Sequence, residues 1–509
     1  MKYLIFSQTV CNFLSPAPIA QLLDNAIIYL EQGHEVYFVW CNDSRSHYCA
    51  TNTDCSRGAC RICKRYMKTL FGSRIVRSHK NLQLIPYQDD GKPFPGPFNY
   101  ESLEDIKNIK YKGVDVGLAA YSTYLSLSRN LNPLINGTFR SYFDKLIGLT
   151  CKYTDFLLNL IEKISPDMIC TLNSRGVCSR PIWDITHQNH IPYLCWEGVY
   201  NRQSQYCKIT FGNSTPHDPV TNKRIVEEKW ANSALPEDEK IEIGEDFFLK
   251  RRNSIPAGDK LFVKSQVQGL LPDGFDRNKH NILILNGSED EYAALFADYQ
   301  SGVAFKSQYP GIKYLAEAFS KEHDYHLYLK IHPNLKDVSY LYHTKLYELE
   351  KAHPNFTVIP PDSPVSTYAC IDACEKAVVF GSTTGPEATY WGKPVLLLSN
   401  CPYSLLDVCY VPPTPEEAIA LLKTPDLPAK DKLQAIKFGY FALNDENEEY
   451  VYFHPFRLHK DMLGRSFDYH TIDVGTLRSK ALILLQIAGK YFYYKHLNYP
   501  QEEDPSLYQ

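Results

Sequence analysis

Apolar and polar positions follow two rhythms along the chain, and the order of those rhythms repeats. "KYLIF" near the start is a strand-length apolar run. "APIAQLLDNAIIYLEQG" then spaces its apolar residues as an amphipathic helix does and stops at Gly33, and "HEVYFVW" is a second strand-length run. Strand, helix and strand at this spacing predict a βαβ unit, from which parallel sheets are built. The pattern returns at "TDFLLNLIEKISP", "DMICTLN", "RPIWDITHQNH" and "IPYLCWEG". Residues 42–150 are less regular, rich in Pro, Gly, Asn and Tyr, and read as insertions and loops over the first sheet.

"LLPDGFDRNKH", 270–280, is polar and breaks the rhythm, which then restarts. "NILILN", "YHLYLKIHPN", "FTVIPP", "AVVFGS" and "PVLLLS" are strand runs, with helices expected across "GIKYLAEAFSKEH" and "SYLYHTKLYELEKAH". Beyond "TPEEAIALLK" the chain turns rich in Tyr and Phe, with one helical stretch, "TLRSKALILLQIAG". At 509 residues the chain exceeds what one hydrophobic core supports. The expectation is an α/β protein of two doubly wound, Rossmann-like domains facing across a cleft. Residues 1–272 form the first and 273–425 the second, and 426–509 form an extension packed on both. Open sheets of this kind bind ligands beyond the carboxyl ends of their strands, so chemistry is sought in the loops that follow strands.

Composition narrows the function classes. Hydrophobic residues make up 44% and charged residues 22%, as in ordinary globular proteins. A net charge of −4 gives no basic footprint of the kind a nucleic-acid binder needs. The first apolar run is too short for a signal peptide, and no stretch approaches the roughly 20 apolar residues of a membrane span, which implies a cytoplasmic protein. The 37 tyrosines suit core packing and carbohydrate-binding surfaces alike.

The fifteen cysteines then read as reduced thiols, most of them small core residues. The Cys-rich stretch 41–65 is different. Its C-x-x-C, Cys60 and Cys63, joined by Cys41 and Cys49, suits a structural zinc site. The spacing of Cys55, Cys60 and Cys63 also matches part of a ferredoxin-type iron–sulfur run, and free thiols are the third reading.

The chemistry-bearing motifs lie after strands. "VVFGSTTGPEATYWGKPVLLL", 378–398, sets a hydroxyl-rich turn between two strand runs. Amides of Ser382, Thr383, Thr384 and Gly385 at a helix start suit an anion, and Glu387 one turn on suits a ribose diol. Thr384 and Glu387 also fit a capping box, which would be purely structural. In "YLKIHPNL", Lys330 and His332 fall on one face of a strand that Pro333 ends, a pairing suited to a phosphate leaving group. In "NGSEDEYAALF", Gly287 and Ser288 are the expected ligand contacts, while Glu289 and Asp290 read as the acidic first turn of a helix. In the first domain, Asn173, Arg175 and Arg180 follow the strand "DMIC". Glu197 follows "IPYLCW" as a general-base candidate, and His217 and Asp218 in "NSTPHDP" are candidate acceptor contacts.

Together, "KIHPN", "GSTTGPEATYWGKPVLLL" and "NGSEDEYAALF", with "NSRGVCSRPI" and "WEGV" more weakly, resemble bacterial capsule-polysaccharide and lipopolysaccharide glycosyltransferases of the GT-B fold. Capsule Kdo transferases are among them, and CDP-glycerol polymerases are more distant relatives. The resemblance covers residues 165–410. It implies a nucleotide-sugar donor, CMP-Kdo or another nucleotide sugar, and a cell-surface glycan or glycolipid acceptor. His332 and Lys330 would bind donor phosphate, Ser382, Thr383, Thr384 and Glu387 phosphate and ribose, and Glu197 would be the catalytic base. It further implies catalysis without a metal cofactor. Separately, the basic run "RICKRY" beside the cysteines suits an anionic acceptor or the inner membrane surface. A nucleotide-sugar 2-epimerase of the same architecture and a non-catalytic glycan-assembly scaffold are the alternative readings.

Overall fold

The computed structural model describes residues 1–7, 16–42, 49–50, 52–88, 91–258, 261–263, 265–296, 298–443, 449–458, 467–472 and 475–508. The first lobe is built on β1 (Lys2–Phe6), β2 (Glu35–Cys41), β3 (Gln83–Tyr87), β4 (Met168–Leu172), β5 (Tyr193–Tyr200) and β6 (Tyr206–Gly212), in the order β3-β2-β1-β4-β5-β6. All pairings are parallel except β5 with β6. The second lobe is a fully parallel sheet of β7 (His280–Leu285), β8 (Tyr325–Lys330), β9 (Phe356–Ile359), β10 (Lys376–Val379) and β11 (Val395–Leu397), in the order β11-β10-β7-β8-β9. Each sheet starts at its centre and winds outward twice, so each has a switch point: β1 beside β4 in the first, β7 beside β10 in the second. The two doubly wound, Rossmann-like domains are therefore present.

The strands of the second sheet are buried on both faces, which is why they read as unbroken apolar runs. Residues 42–150 differ from expectation. They supply edge strand β3 and two core helices, Val116–Ser128 and Gly137–Ile164, the second packing Tyr153 and Phe156 against Phe6 of β1 and Tyr87 of β3. Their Gly, Thr and Tyr residues hide the helical period because those residues are themselves buried: Gly117, Tyr121, Tyr124, Gly148, Thr150 and Tyr153 all face the core. Much of the tyrosine surplus is spent this way, Tyr66, Tyr193, Tyr328, Tyr440 and Tyr469 being fully buried as well.

A helix after the first sheet joins the lobes. Glu237–Arg252 follows the first sheet in sequence, and Arg202 of the first lobe binds its Asp246 at 2.7 Å. Its other side packs on the helix Lys432–Leu443, with Phe248 stacked on Tyr390 of the second lobe at 4.2 Å. The two helices cross at glycines: a Cβ on Gly244 would sit 2.3 Å from the Ile436 carbonyl oxygen, and one on Gly439 2.3 Å from that of Gly244. The chain after 449 returns to the first lobe. The hairpin β12 (His454–Leu458) and β13 (Phe467–Thr471) lies against the helix Pro16–Glu31, and the helix Leu477–His496 lies on the helix Arg57–Phe71. Asp24 draws this return in, accepting from the backbone N–H groups of Val451, Tyr452 and Phe453 while Lys208 pairs with it at 2.8 Å in complete burial.

The last residues cross both lobes. Asn130 donates to the Glu502 carbonyl at 3.0 Å, Leu341 N–H to the Glu503 carboxylate at 2.8 Å, and Tyr508 packs edge-on against Tyr309. No helix of the described residues is long and apolar enough to cross a membrane.

Candidate active site

A cavity of about 330 Å³ opens where the second sheet's switch point faces the first lobe, within the size range of small-molecule sites. Its floor is the crevice between β7 and β10. Asn286, Gly287 and Ser288 follow β7, and Gly381, Ser382, Thr383 and Thr384 follow β10. β8 adds Lys330 as its last residue and His332 just past it. Across the gap, the first lobe contributes Asn173, Arg175, Glu197 and His217.

Lys330 is only 4% exposed and lines this cavity, yet has no ion-pair partner among the described residues. Burial pulls its ammonium below the ordinary lysine range. An ammonium held this way is an open position for an anion. His332 is fixed at both ends: its backbone N–H donates to Asn286 Oδ1 at 2.8 Å, and its Nδ1 accepts from Asn334 N–H at 3.2 Å. Because Nδ1 accepts, a neutral ring would carry its proton on Nε2. Phe262 packs edge-on against the ring at 5.1 Å.

The hydroxyl turn is tight. Gly381 sits at φ +81°, in the left-handed region that turns the chain out of β10. The Ser382 and Thr384 hydroxyls bond each other, and Gly385 N–H returns to the Ser382 carbonyl at 3.0 Å. The following helix, Thr384–Tyr390, is two turns long and has no side-chain cap, so the capping box does not form. Glu387 is instead held from outside its helix. Arg251 Nε donates to its Oε1 at 3.0 Å and the Tyr368 hydroxyl donates to its Oε2. Arg251 Nη2 also reaches the Thr383 hydroxyl at 3.4 Å. Each Glu387 oxygen keeps a further acceptor position, so a diol can still donate to it.

The first-lobe wall is set by strand ends. Asn173, just past β4, adopts φ +41°, and its buried Oδ1 has no hydrogen-bond partner among the described residues. Parallel pairing of β5 with β4 stops at Trp196, and β5 continues only against β6. Glu197 is thus inside β5 and not beyond it, but it is the first residue past the parallel sheet's edge, and it faces the cavity. His217 Nε2 is buried without a partner among the described residues, and burial together with Arg175 holds its pKa down to about 3, so the ring is neutral.

No protein-family model matches the sequence, and no curated protein does. Solved structures do match. The chain is similar to the β-Kdo 2,4 transferase KpsC of Thermosulfurimonas dismutans, at 12% identity and a TM-score of 0.34 over 63% of this chain and 87% of that one. It is similar to a UDP-GlcNAc 2-epimerase of Neisseria meningitidis, at 12% identity and a TM-score of 0.29 over 86% and 97%. A glycosyltransferase of Rickettsia africae matches at 11% identity and a TM-score of 0.27 over 98% and 99%. Likeness this distant carries no argument; fold and chemistry rest on the chain's own geometry.

The cavity gathers Asn173, Arg175, Glu197, His217, Gly287, Ser288, Lys330, His332, Ser382, Thr383, Thr384 and Glu387. Three candidates lie elsewhere. Arg180 is buried and bonded to Asp184, Asp115 and the Leu295 carbonyl, so it joins the lobes and does not line this cavity. Asp218 caps the helix Pro219–Asn232, accepting from Val220 and Thr221 N–H at 3.2 Å each. Gly385 is buried inside its helix, where a Cβ would meet the Tyr403 hydroxyl.

Gly287 lines the cavity, but its N–H is committed to Gln308 Oε1, and a Cβ there would strike the Phe380 carbonyl. Its role is close packing of two strand ends. Glu289–Glu291 is a single 3-10 turn and starts no helix: Glu289 accepts from Gln308 N–H, and Asp290 pairs with Arg129 at 3.2 Å.

Among the described residues no three His, Cys, Asp or Glu side chains form a metal-binding group. Cys60 and Cys63 lie on the helix Arg57–Phe71 and Cys41 ends β2. Residues 43–48 and 51 of the cysteine-rich stretch lie outside the described residues. Sequence reasoning missed Arg251, Tyr368, Asn286 and Asn334. Only Asn286, in "ILILNGS" directly after a strand, carried a local signal.

Proposed function

We propose that this protein is a glycosyltransferase that moves a sugar from a nucleotide-activated donor to a hydroxyl of a glycan or glycolipid acceptor. The observation that carries the reading is Lys330, a buried ammonium without an acid partner. It sits at a sheet's switch point beside His332 and a hydroxyl turn, and it faces the carboxylate of Glu197 across one cavity. Donor phosphate sits against Lys330, His332 Nε2–H and the Ser382–Thr384 turn, with the ribose on Glu387. Glu197 takes the proton of the acceptor hydroxyl, whose oxygen attacks the anomeric carbon. The bond from that carbon to the phosphate oxygen breaks and its electron pair leaves on the phosphate, where Lys330 and His332 meet the charge. Side chains of the cavity meet each proton and charge in this transfer, and no step is routed through a metal. CMP-, UDP-, GDP- and dTDP-sugars all fit these contacts.

Thermal shift with CMP, CDP, UDP, GDP and dTDP tests the binding half. One nucleotide should raise the melting temperature of the wild type and fail to raise that of Lys330→Met; no shift with any of the five sinks the reading. With the donor so identified, His332→Ala should lower turnover by ~10²–10³ with the fold intact. Conversion of the donor sugar without acceptor would show an epimerase instead.

A further inference from the structure

The helices Arg57–Phe71 and Leu477–His496 lie side by side and antiparallel: Phe492 sits against Gly58 at one end of the pair and Arg478 against Gly72 at the other. They run together for roughly 20 Å at 1.5 Å per residue. Both turn their inner faces to the same core, through Tyr66, Met67 and Leu70 from the first and Leu482 from the second. Their outer faces therefore point the same way, and they differ in character.

The outer face of Arg57–Phe71 is cationic. Arg61, Arg65 and Lys68 are exposed at helical spacing and have no ion pair among the described residues. Residues 57–80 hold eight Lys and Arg and no Asp or Glu, in a chain whose net charge is −4. The outer face of Leu477–His496 is apolar. Leu477 is 84% exposed, Leu484 57% and Tyr491 47%, each seven residues from the next and so on one stripe. Lys480 and Lys495 flank that stripe, and this helix too has no acidic residue.

Exposed leucines and a tyrosine in line are an unfavourable surface in water. Beside a strip of cations, they fit a phase with anionic headgroups above hydrocarbon. We propose that this two-helix face docks the protein on an anionic lipid bilayer. The arginines and lysines meet lipid phosphates, while Leu477, Leu484 and Tyr491 enter the headgroup–acyl boundary. The helix lies flat on the surface and does not cross it. The inference is independent of the proposed reaction.

Co-sedimentation of the full chain with phosphatidylcholine vesicles, with and without phosphatidylglycerol, tests it. The wild type should bind the anionic vesicles at least about tenfold more tightly than the neutral ones, and binding should weaken with salt. Leu484→Glu with Tyr491→Glu, and separately Arg61→Gln with Arg65→Gln and Lys68→Gln, should each lower binding about tenfold. All five positions are exposed, so melting temperatures should stay near wild type; should the first variant misfold, the second set decides alone. Failure to bind anionic vesicles, equal binding to neutral ones, or wild-type binding by the variants overturns the proposal. So does a dimer in light scattering that Leu484→Glu dissolves while lipid binding is absent, which would make the face a self-association surface.

Discussion

A lysine taken out of water without a carboxylate destabilises a fold by several kcal/mol unless something compensates. Lys330 carries that penalty in the ligand-free protein, and burial already pushes its pKa down. Lys330→Met should therefore melt higher than wild type in buffer while losing its response to nucleotide, a pairing that a merely structural lysine would not give. His217 has the same logic with a pH signature. The folded protein holds it neutral down to about 3, whereas in the unfolded chain it protonates near 6.5. Between those values the unfolded state binds the extra proton, so stability falls as pH drops, by up to ~1.4 kcal/mol per unit.

Urea unfolding at pH 7.5 and pH 5 should show His217→Gln losing about 2 kcal/mol less than wild type over that interval; equal losses would mean that His217 is charged in the fold. Lys330, His332 and the 382–384 turn line one cavity, and the sequence could bring them together because strand period and a terminal proline fix which side chains reach an edge. It misplaced Arg180 and Asp218 because a polar residue after a strand looks the same whether it faces a ligand or is spent on a lobe contact or a cap.

Helices were legible where one face is apolar and opaque where every face is. The second sheet's strands stood out as continuous runs, while Val116–Ser128, buried almost all round, gave no period to read. Contacts between elements far apart in sequence were invisible. The glycine crossing of Glu237–Arg252 with Lys432–Leu443 has no local sign, since glycine within a helix ordinarily weakens it by about 1 kcal/mol. Here the missing side chains let the backbones touch. Gly244→Ala should therefore destabilise by about 2–3 kcal/mol, opposite in sign to helix propensity. It should also weaken nucleotide binding, because Arg251 on the same helix holds Glu387. A melting temperature equal to or above wild type would rule out the tight crossing.

At the scale of the molecule, three arginines of the first lobe hold the second. Arg129 pairs with Asp290 and donates to the Asn334 carbonyl, Arg175 donates to the Glu291 carbonyl and Arg180 to that of Leu295. All three end on the loops that wall the cavity, so the cleft's width is set by the same segments that would touch donor and acceptor. Arg129→Met would leave the Asp290 carboxylate, 9% exposed, without its partner, at a cost of about 3 kcal/mol. Small-angle scattering should then show a larger radius of gyration without ligand; an unchanged radius with a lowered melting temperature would confine Arg129 to local stability.

Two lobes and a polar break at 270–280 invite the exchange of one half for that of another protein, and the obvious cut lies in that break. Such a hybrid would discard Arg251, lose the hold on Glu387, and leave Gly439 facing a stranger's helix. A graft joined before Pro236 keeps arginine, glutamate and both glycines in one inherited piece, so substrate preference should travel with a block that starts some thirty-five residues before the visible seam.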